Sequence, residues 1–345
     1  MRHALCVQRS VVCCPVVLLT HYCLLPTPCC LLLAAYCLLP TACCLLFTPY
    51  PQHPIFDLHM NHTETLPVVE YTPDSQLRSP GLLLRSMWRD LKASRELSWR
   101  LFVRDTSARY RQSLLGVFWA FLPPIITGLV FIILQSKKVV NFGETDIPYP
   151  VFVLFGTTLW QLFTESLNAP LKSVQLAKPM LAKINFPREA LIVSAFYGVL
   201  FNLLIKLIIL LGIFLFFGVQ ATWGLLLAPL AIVMIILLGM TIGLLLTPLG
   251  MLYTDITSGL MVFTQLWFFV TPVVYPPPQS FPYSLVATLN PVSPLLIGAR
   301  DLATKGTLAN TEAFLIISGL TFVALFLGWV IYRAAAPIII ERMSA

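Results

Sequence analysis

Six apolar stretches, at about 114–134, 151–169, 190–217, 224–249, 258–275 and 313–332, dominate the 345-residue chain. Each is close to or above the roughly 20 apolar residues that cross a bilayer core of about 30 Å. Backbone inside hydrocarbon must satisfy its own hydrogen bonds, and stretches of this length do so as helices. Composition supports the point: 58% of residues are hydrophobic and 11% charged, whereas soluble domains carry about 25% charged residues. The fold expected is an all-α integral membrane protein with six transmembrane helices. Gly and Pro inside the stretches, such as Pro123-Pro124, Gly239, Gly243 and Pro248, are tolerated in membrane helices because neighbours re-satisfy the freed backbone groups.

Residue placement excludes several chemistries. All nine cysteines lie between Cys6 and Cys44, and all five histidines between His3 and His62. The apolar body therefore has no thiolate or imidazole for a metal site, no Cys nucleophile and no His acid or base. No G-x-x-x-x-G-K-[ST] phosphate loop occurs in the chain, so it does not hydrolyse ATP by that route. The expectation is a membrane chain with no catalytic residues, metal ligands or cofactor of its own, for which any energy source comes from a partner or an ion gradient.

Residues 1–59 pose a separate problem. Residues 1–56 lack Asp and Glu, and Tyr22-Cys23-Leu24-Leu25-Pro26-Thr27 returns fourteen residues later as Tyr36-Cys37-Leu38-Leu39-Pro40-Thr41. The tract is too long and too often broken by Pro15, Pro26, Pro28 and Pro40 for a signal peptide. A membrane span would have to carry the same prolines, and a disulfide framework would need an oxidising compartment. The remaining reading is a translated tandem nucleotide repeat, with synthesis beginning at Met60. Residues 1–59 are accordingly set apart from the functional protein.

Residues 60–80, polar and interrupted by Pro67, Pro73 and Pro80, read as a disordered lead. Over residues 81–111 Leu84, Met87, Trp88 and Leu91 recur at helical spacing, with Arg85, Arg89, Lys92 and Arg95 between them. That pattern predicts an amphipathic helix lying on an anionic membrane surface, or packing its apolar face on a partner; the basic stretch suits a membrane rather than a nucleic acid. Residues 112–345 form the six-span domain. Lys172, Lys178, Lys183 and Arg188 follow the second stretch, Arg333 and Arg342 lie in the tail, and opposite-side segments hold only Lys137, Lys138, Arg300 and Lys305. Basic loops face the cytoplasm, which puts both termini there. Residues 276–312, opened by Pro276-Pro277-Pro278, are too apolar for a free loop and too broken for a span. Two short re-entrant helices before the last span fit them.

Charges inside spans default to functional hypotheses. Glu165 lies in the second stretch and Lys206 in the third. A lysine at a helix centre costs roughly 2.5–3.5 kcal/mol on the insertion scale, so Lys206 calls for a wet cavity, an acidic neighbour or a snorkelling route to the surface. Glu165 is the candidate neighbour. Trp119, Trp160, Phe163 and Trp267 either line a path for sugars or belong to lipid-facing aromatic belts. An intramembrane transferase, the rival reading, would have to rest on Glu165, Asp255 or Asp301, which sit on different segments.

Several stretches also carry a family resemblance. They are Arg104-Asp105-Thr106-Ser107-Ala108-Arg109-Tyr110-Arg111-Gln112-Ser113-Leu114-Leu115-Gly116-Val117-Phe118-Trp119-Ala120, then Tyr149-Pro150-Val151-Phe152-Val153 and Lys183-Ile184-Asn185-Phe186-Pro187-Arg188. Further on come Leu266-Trp267-Phe268-Phe269-Val270-Thr271-Pro272-Val273-Val274-Tyr275-Pro276 and Leu289-Asn290-Pro291. In this order and spacing they resemble the permease subunit of bacterial ATP-binding-cassette exporters of cell-surface polysaccharide, of the O-antigen, capsule and teichoic-acid type. The resemblance covers residues 86–345. It implies a homodimer in the bacterial cytoplasmic (inner) membrane, bound to a separate ATPase that carries the ATP and Mg, and a lipid-linked polysaccharide as cargo. It also implies a coupling helix after the second span, the expected contact for the ATPase through Lys172, Leu176, Met180, Leu181, Lys183 and Arg188. Export of drugs or other lipids is the alternative within transport. One departure is Tyr253-Thr254-Asp255-Ile256, which lacks the basic residue that the family usually has before the aspartate.

Overall fold

The computed structural model describes residues 80–111, 116–139, 145, 147–181, 186–219, 222–253, 255–278, 281 and 283–344, and no strand occurs among them. The repeat tract 1–59 and residues 60–79 of the expected lead lie outside the described residues. Helix α1 spans Pro80–Arg111, followed by a 3-10 turn at Gly116–Ala120 and α2 at Leu122–Ser136. Then come α3 (Tyr149–Leu181), α4 (Glu189–Phe216), a 3-10 turn at Trp223–Leu226, and α5 (Ala228–Leu252). The chain ends with α6 (Asp255–Val270), the short α7 (Tyr283–Leu289), α8 (Val292–Thr304) and α9 (Thr311–Ser344).

Three of the six anticipated stretches form helices both long and apolar enough to cross a membrane: α4, α5 and the Thr311–Ala336 portion of α9. Helices α2 and α6 are apolar but have 15 and 16 residues. At 1.5 Å per residue these are about 22–24 Å long, short of the ~30 Å core. The first stretch is shortened because its prolines start the helix rather than sit inside it: Pro123 and Pro124 occupy the first turn of α2, where a missing N–H costs nothing. Helix α3 is long enough, at 33 residues, but carries Thr157, Thr158, Gln161, Thr164, Glu165 and Ser166 in its middle. Its position explains that polarity. It packs against α2, α4 and α5 and also touches α6 and α8, so its residues meet protein, where hydroxyls find carbonyls. Thr158 and Ser166, for example, each donate to a carbonyl of the preceding turn.

Of the helix breaks expected at Pro179 and Pro187, the second falls between α3 and α4 and the first is absent. Helix α3 runs through Pro170 and Pro179 to Leu181, so residues 171–181 continue α3 and do not form a separate helix. A membrane helix tolerates internal proline when neighbouring groups take over the freed carbonyls. Residues 182–185, including Lys183, lie outside the described residues.

The α3–α5 contact is the heart of the core. Gly239 and Gly243 present a small-x-x-x-small stripe, the pattern that brings membrane helices together closely. A Cβ at Gly243 would fall against the Leu167 carbonyl, and one at Gly239 against the Ser166 hydroxyl and the Phe163 carbonyl. Backbone cannot retreat as a flexible side-chain tip can. Gly243→Leu is therefore expected to force α3 and α5 apart and sharply lower the yield of monodisperse protein in detergent. Gly259→Leu, on α6 where a Cβ meets open space, serves as the control. Equal yields for the two variants would show that the close approach is not needed.

Direction alternates along the chain. The C-terminus of α3, the N-terminus of α4, the α5–α6 junction and the C-terminal part of α9 share one end with α1. There Leu101, Val174, Leu181, Leu191, Met251, Tyr332 and Ala336 form one apolar cluster. This is the basic end. The opposite end holds the start of α3, the 3-10 turn before α5, and the α7–α8 pair. The α7–α8 pair corresponds to the two short helices anticipated within 276–312.

Candidate functional site

Lys206 occupies the middle of α4 and is fully buried, with 0% of its side chain exposed. Its Nζ donates to Glu165 Oε1 of α3 at 2.6 Å. Asn202, one turn earlier on the same face, donates from Nδ2 to the other carboxylate oxygen at 3.2 Å. Snorkelling is thus not what Lys206 does: its charge ends on α3, inside the bundle. Glu165 retains 26% exposure. A short charge-assisted bond of this kind is strong, and the second oxygen's bond to Asn202 limits the desolvation penalty that buried pairs carry.

The aromatic candidates divide. Trp160 and Phe163, one turn apart on α3, meet Trp267 of α6 with ring centroids 6.3 and 5.3 Å away, both edge-to-face. Phe263 extends the cluster, 5.2 Å from Trp267. Trp160 and Phe163 are buried, and Trp267 is half-buried. Trp119 stands apart on the first 3-10 turn, 56% exposed, and joins none of the ring contacts of this cluster. Edge-to-face pairs contribute about 0.5–1.5 kcal/mol each beyond their buried area, so the cluster ties α6 to α3 firmly.

Sequence reasoning did not single out Asn290 as a site residue, yet it links this cluster to the α7–α8 pair. Its Oδ1 accepts from Trp267 Nε1 and from the Val292 backbone N–H, both at 3.1 Å. Its Nδ2 donates to Thr271 Oγ1 at 2.8 Å. The signal was present in Leu289-Asn290-Pro291: a polar side chain before proline in apolar surroundings, where an Asx side chain can serve the N–H two residues on.

At the basic end the predicted coupling residues take different positions. Lys172 is exposed and Leu176 is 74% exposed, whereas Met180 and Arg188 are half-buried and Leu181 is buried in the apolar cluster. Behind them Lys178 Nζ donates to the Met251 carbonyl at 2.9 Å. Gln175 Nε2 donates to Thr257 Oγ1 at 2.9 Å. Those bonds anchor the end of α3 to the α5–α6 junction. An ionic cluster beside them was not anticipated. Arg333 of α9 donates from Nη1 to Glu189 Oε1 and from Nη2 to Asp90 Oδ2, both at 2.6 Å, and from Nη2 to Ser86 Oγ at 3.2 Å. Three elements, α1, α4 and α9, meet on one guanidinium, which is 10% exposed. The partners lie more than a hundred residues apart in the chain, so no local pattern could pair them.

Glu165, Asp255 and Asp301, the acids a transferase would need, fall in the middle, at the basic end and at the opposite end. Among the described residues no group of three or more His, Cys, Asp or Glu side chains could hold a metal ion.

Comparison with known proteins adds a lineage to this geometry. Residues 96–303 match the family model described as ABC-2 type transporter. The O-antigen export system permease protein RfbA of Myxococcus xanthus is 26% identical over 242 residues, which cover 69% of this chain and 92% of that protein. Two proteins of the same name from Klebsiella pneumoniae are 26% identical over 216 residues and 23% identical over 238. The matches cover 59% and 67% of this chain, and 79% and 88% of those proteins.

Proposed function

Because the chain belongs to the ABC-2 type transporter family, we propose that it is the membrane permease of an exporter of lipid-linked polysaccharide, driven by a separate ATPase. The observation that carries this reading is the similarity to O-antigen export permeases across nearly their whole length. In this reading the basic end faces the cytoplasm, as basic loops do, and the membrane is the bacterial inner membrane. Helices α2, α3 and α6 join the three long apolar helices to make six spans, with α2 and α6 short enough to leave water close to both ends. Helices α7 and α8 are re-entrant elements at the outer end, and α1 lies along the inner interface. A second copy of the chain completes the pathway. Glu165, Lys206, Trp160, Phe163 and Trp267 lie where a path between copies would open; Trp119, on its exposed turn, would face lipid or the second copy.

The coupling surface for the ATPase is the last turns of α3, with Lys172 and Leu176 facing outward and Met180 and Arg188 half-buried beside them. Leu181, being part of the apolar cluster, would support that surface rather than touch the partner. The function and this surface are tested together. The chain is expressed with its ATPase in a strain lacking its own O-antigen exporter, and surface polysaccharide is assayed by gel and antibody. The expected result is restored export by the wild type. Leu176→Asp, which changes one exposed side chain, should keep normal insertion but lose ATPase co-purification and at least nine-tenths of export. Lipid or drug efflux without any surface glycan would favour the alternative cargo. Full ATPase binding by Leu176→Asp would move the coupling surface elsewhere.

A further inference from the structure

At the end opposite the basic one, a cavity of about 310 Å³ opens between the start of α3 and helix α8. Thr145, Phe152, Ile297, Arg300, Asp301 and Lys305 are among its walls. That volume lies at the lower limit of small-molecule pockets, about 300 Å³, and is far larger than a single water or ion needs. Arg300 is the unusual member. It is buried, and its guanidinium lies 3.7 Å from the centre of the Phe152 ring. Its Nη2 donates to the Val273 carbonyl at 2.7 Å, while its Nε has no hydrogen-bond partner. Space for it exists because residue 156 is glycine: a Cβ there would fall on the Val273 carbonyl and the Arg300 guanidinium.

Among the described residues no carboxylate stands within ion-pair distance of Arg300, since the adjacent Asp301 turns to Lys305 at 3.5 Å. A buried guanidinium with neutral partners and an unmet N–H is incomplete; its natural complement is an oxyanion, which a planar fork binds best. Lys305 is paired with Asp301, so Arg300 is the cation on this wall whose donors meet neutral partners. Asp301 and the hydroxyls of Thr145 and Thr304 on the same wall offer acceptors to alcohols, the threonine protons being donated to the Ile147 and Arg300 carbonyls.

We propose that this cavity binds a saccharide carrying an oxyanion, either the carboxylate of a uronic acid or the phosphate of a sugar phosphate. The inference rests on the export reading, which makes this the end where a glycan emerges. Its test is a binding measurement that does not depend on export.

The purified full-length chain in phosphatidylcholine nanodiscs is titrated with glucuronate, glucose 1-phosphate, glucose and inorganic phosphate, followed by saturation-transfer NMR. The expected result is binding of at least one anionic sugar, at least tenfold tighter than glucose or inorganic phosphate. Which of the two binds identifies the source of the charge. Arg300→Gln should abolish that binding. Ala309→Trp, at an exposed lining residue, should weaken it at least fivefold by plugging the mouth, with unchanged thermal unfolding, and it decides the matter if Arg300→Gln does not fold. Failure of both anionic sugars to bind, inorganic phosphate binding as tightly as they do, glucose binding equally well, or an Ala309→Trp protein that binds normally would each overturn the proposal. A wild-type chain that exports glycan but binds neither anionic sugar overturns this inference alone; a chain that binds anionic sugar yet exports no glycan overturns the export reading alone.

Discussion

Lys206→Met is expected to destabilise the protein by about 3 kcal/mol, the lower end of the 3–5 kcal/mol measured when one partner of a buried ion pair is removed. The lower end applies because Glu165 keeps about a quarter of its surface open and water can reach the orphaned carboxylate. The damage arises from what is left behind rather than from the lost attraction. Glu165→Gln together with Lys206→Met should therefore recover to within about 1 kcal/mol of the wild type, since a neutral, similarly shaped pair has no ion to desolvate. Thermal and denaturant unfolding of the two singles and the double close the cycle. A single Lys206→Met protein as stable as the wild type would mean that the pair contributes nothing. The double variant also separates structure from transport. If the pair belongs to the export path, this stable protein should still fail to restore surface polysaccharide. Normal export would assign the pair to holding α3 against α4 and nothing more.

The second large effect is expected at Arg333. Arg333→Leu leaves Glu189 and Asp90 facing each other without their shared cation, and both are largely buried, at 8% and 18% side-chain exposure. Glu189 loses its ion pair and Asp90 keeps only the exposed Arg89 at 3.8 Å, so the cost should be about 3–5 kcal/mol. The structural consequence is specific: α1 loses its polar tie to α4 and α9. Limited trypsin digestion should then cut faster between Arg85 and Arg111, while the rest of the bundle resists as before. Arg333→Lys keeps the charge but loses the planar fork that serves two carboxylates at once, so it should recover only part of that protection. Asp90→Asn removes one arm and should cost about 1–3 kcal/mol, the range for a lost charged hydrogen bond. Unchanged protection of α1 in Arg333→Leu would show that aromatic packing alone holds the helix, through Trp99, Phe102, Tyr197 and Phe201.

Helical class, and the presence of a helix within each apolar stretch, were legible because apolar runs of this length leave one solution for the backbone. Spanning capacity was less legible. Hydropathy counts residues without knowing what surrounds them, and α3 shows the limit: its Thr, Gln and Glu residues are permissible because other helices cover them. Proline misled in both directions. Pro123 and Pro124 begin a helix that was expected to contain them, and Pro179 lies within one that was expected to stop there. The first-turn position of Pro123 and Pro124 leaves no bond to lose, whereas an internal Pro179 depends on neighbours to take over the freed carbonyl. For the site, an intramembrane Lys206 announced that it needed an acid, and Glu165 was within reach in kind if not yet in distance. The Arg333 cluster gave no such notice, since an arginine near the end of a last helix reads equally well as a topology signal.

In the proposed export cycle, helix α3 would also serve as a lever. At 33 residues and 1.5 Å per residue it is about 50 Å long, from Leu176 and its neighbours at one end to Tyr149 at the other. There the Tyr149 hydroxyl donates to the Val274 carbonyl at 3.2 Å, just ahead of the short paired helices. A tilt of about 5° about its middle would swing each tip by roughly 2 Å, in opposite directions, on the geometry of a rigid rod of that length. Its pivot would be the stretch where α5 glycines press on its backbone, close to Glu165. The two internal prolines set how faithfully that swing is delivered: a hinge at Pro170 would waste it as bending, so the neighbours that stiffen Pro170 govern mechanical gain as directly as any residue that touches cargo.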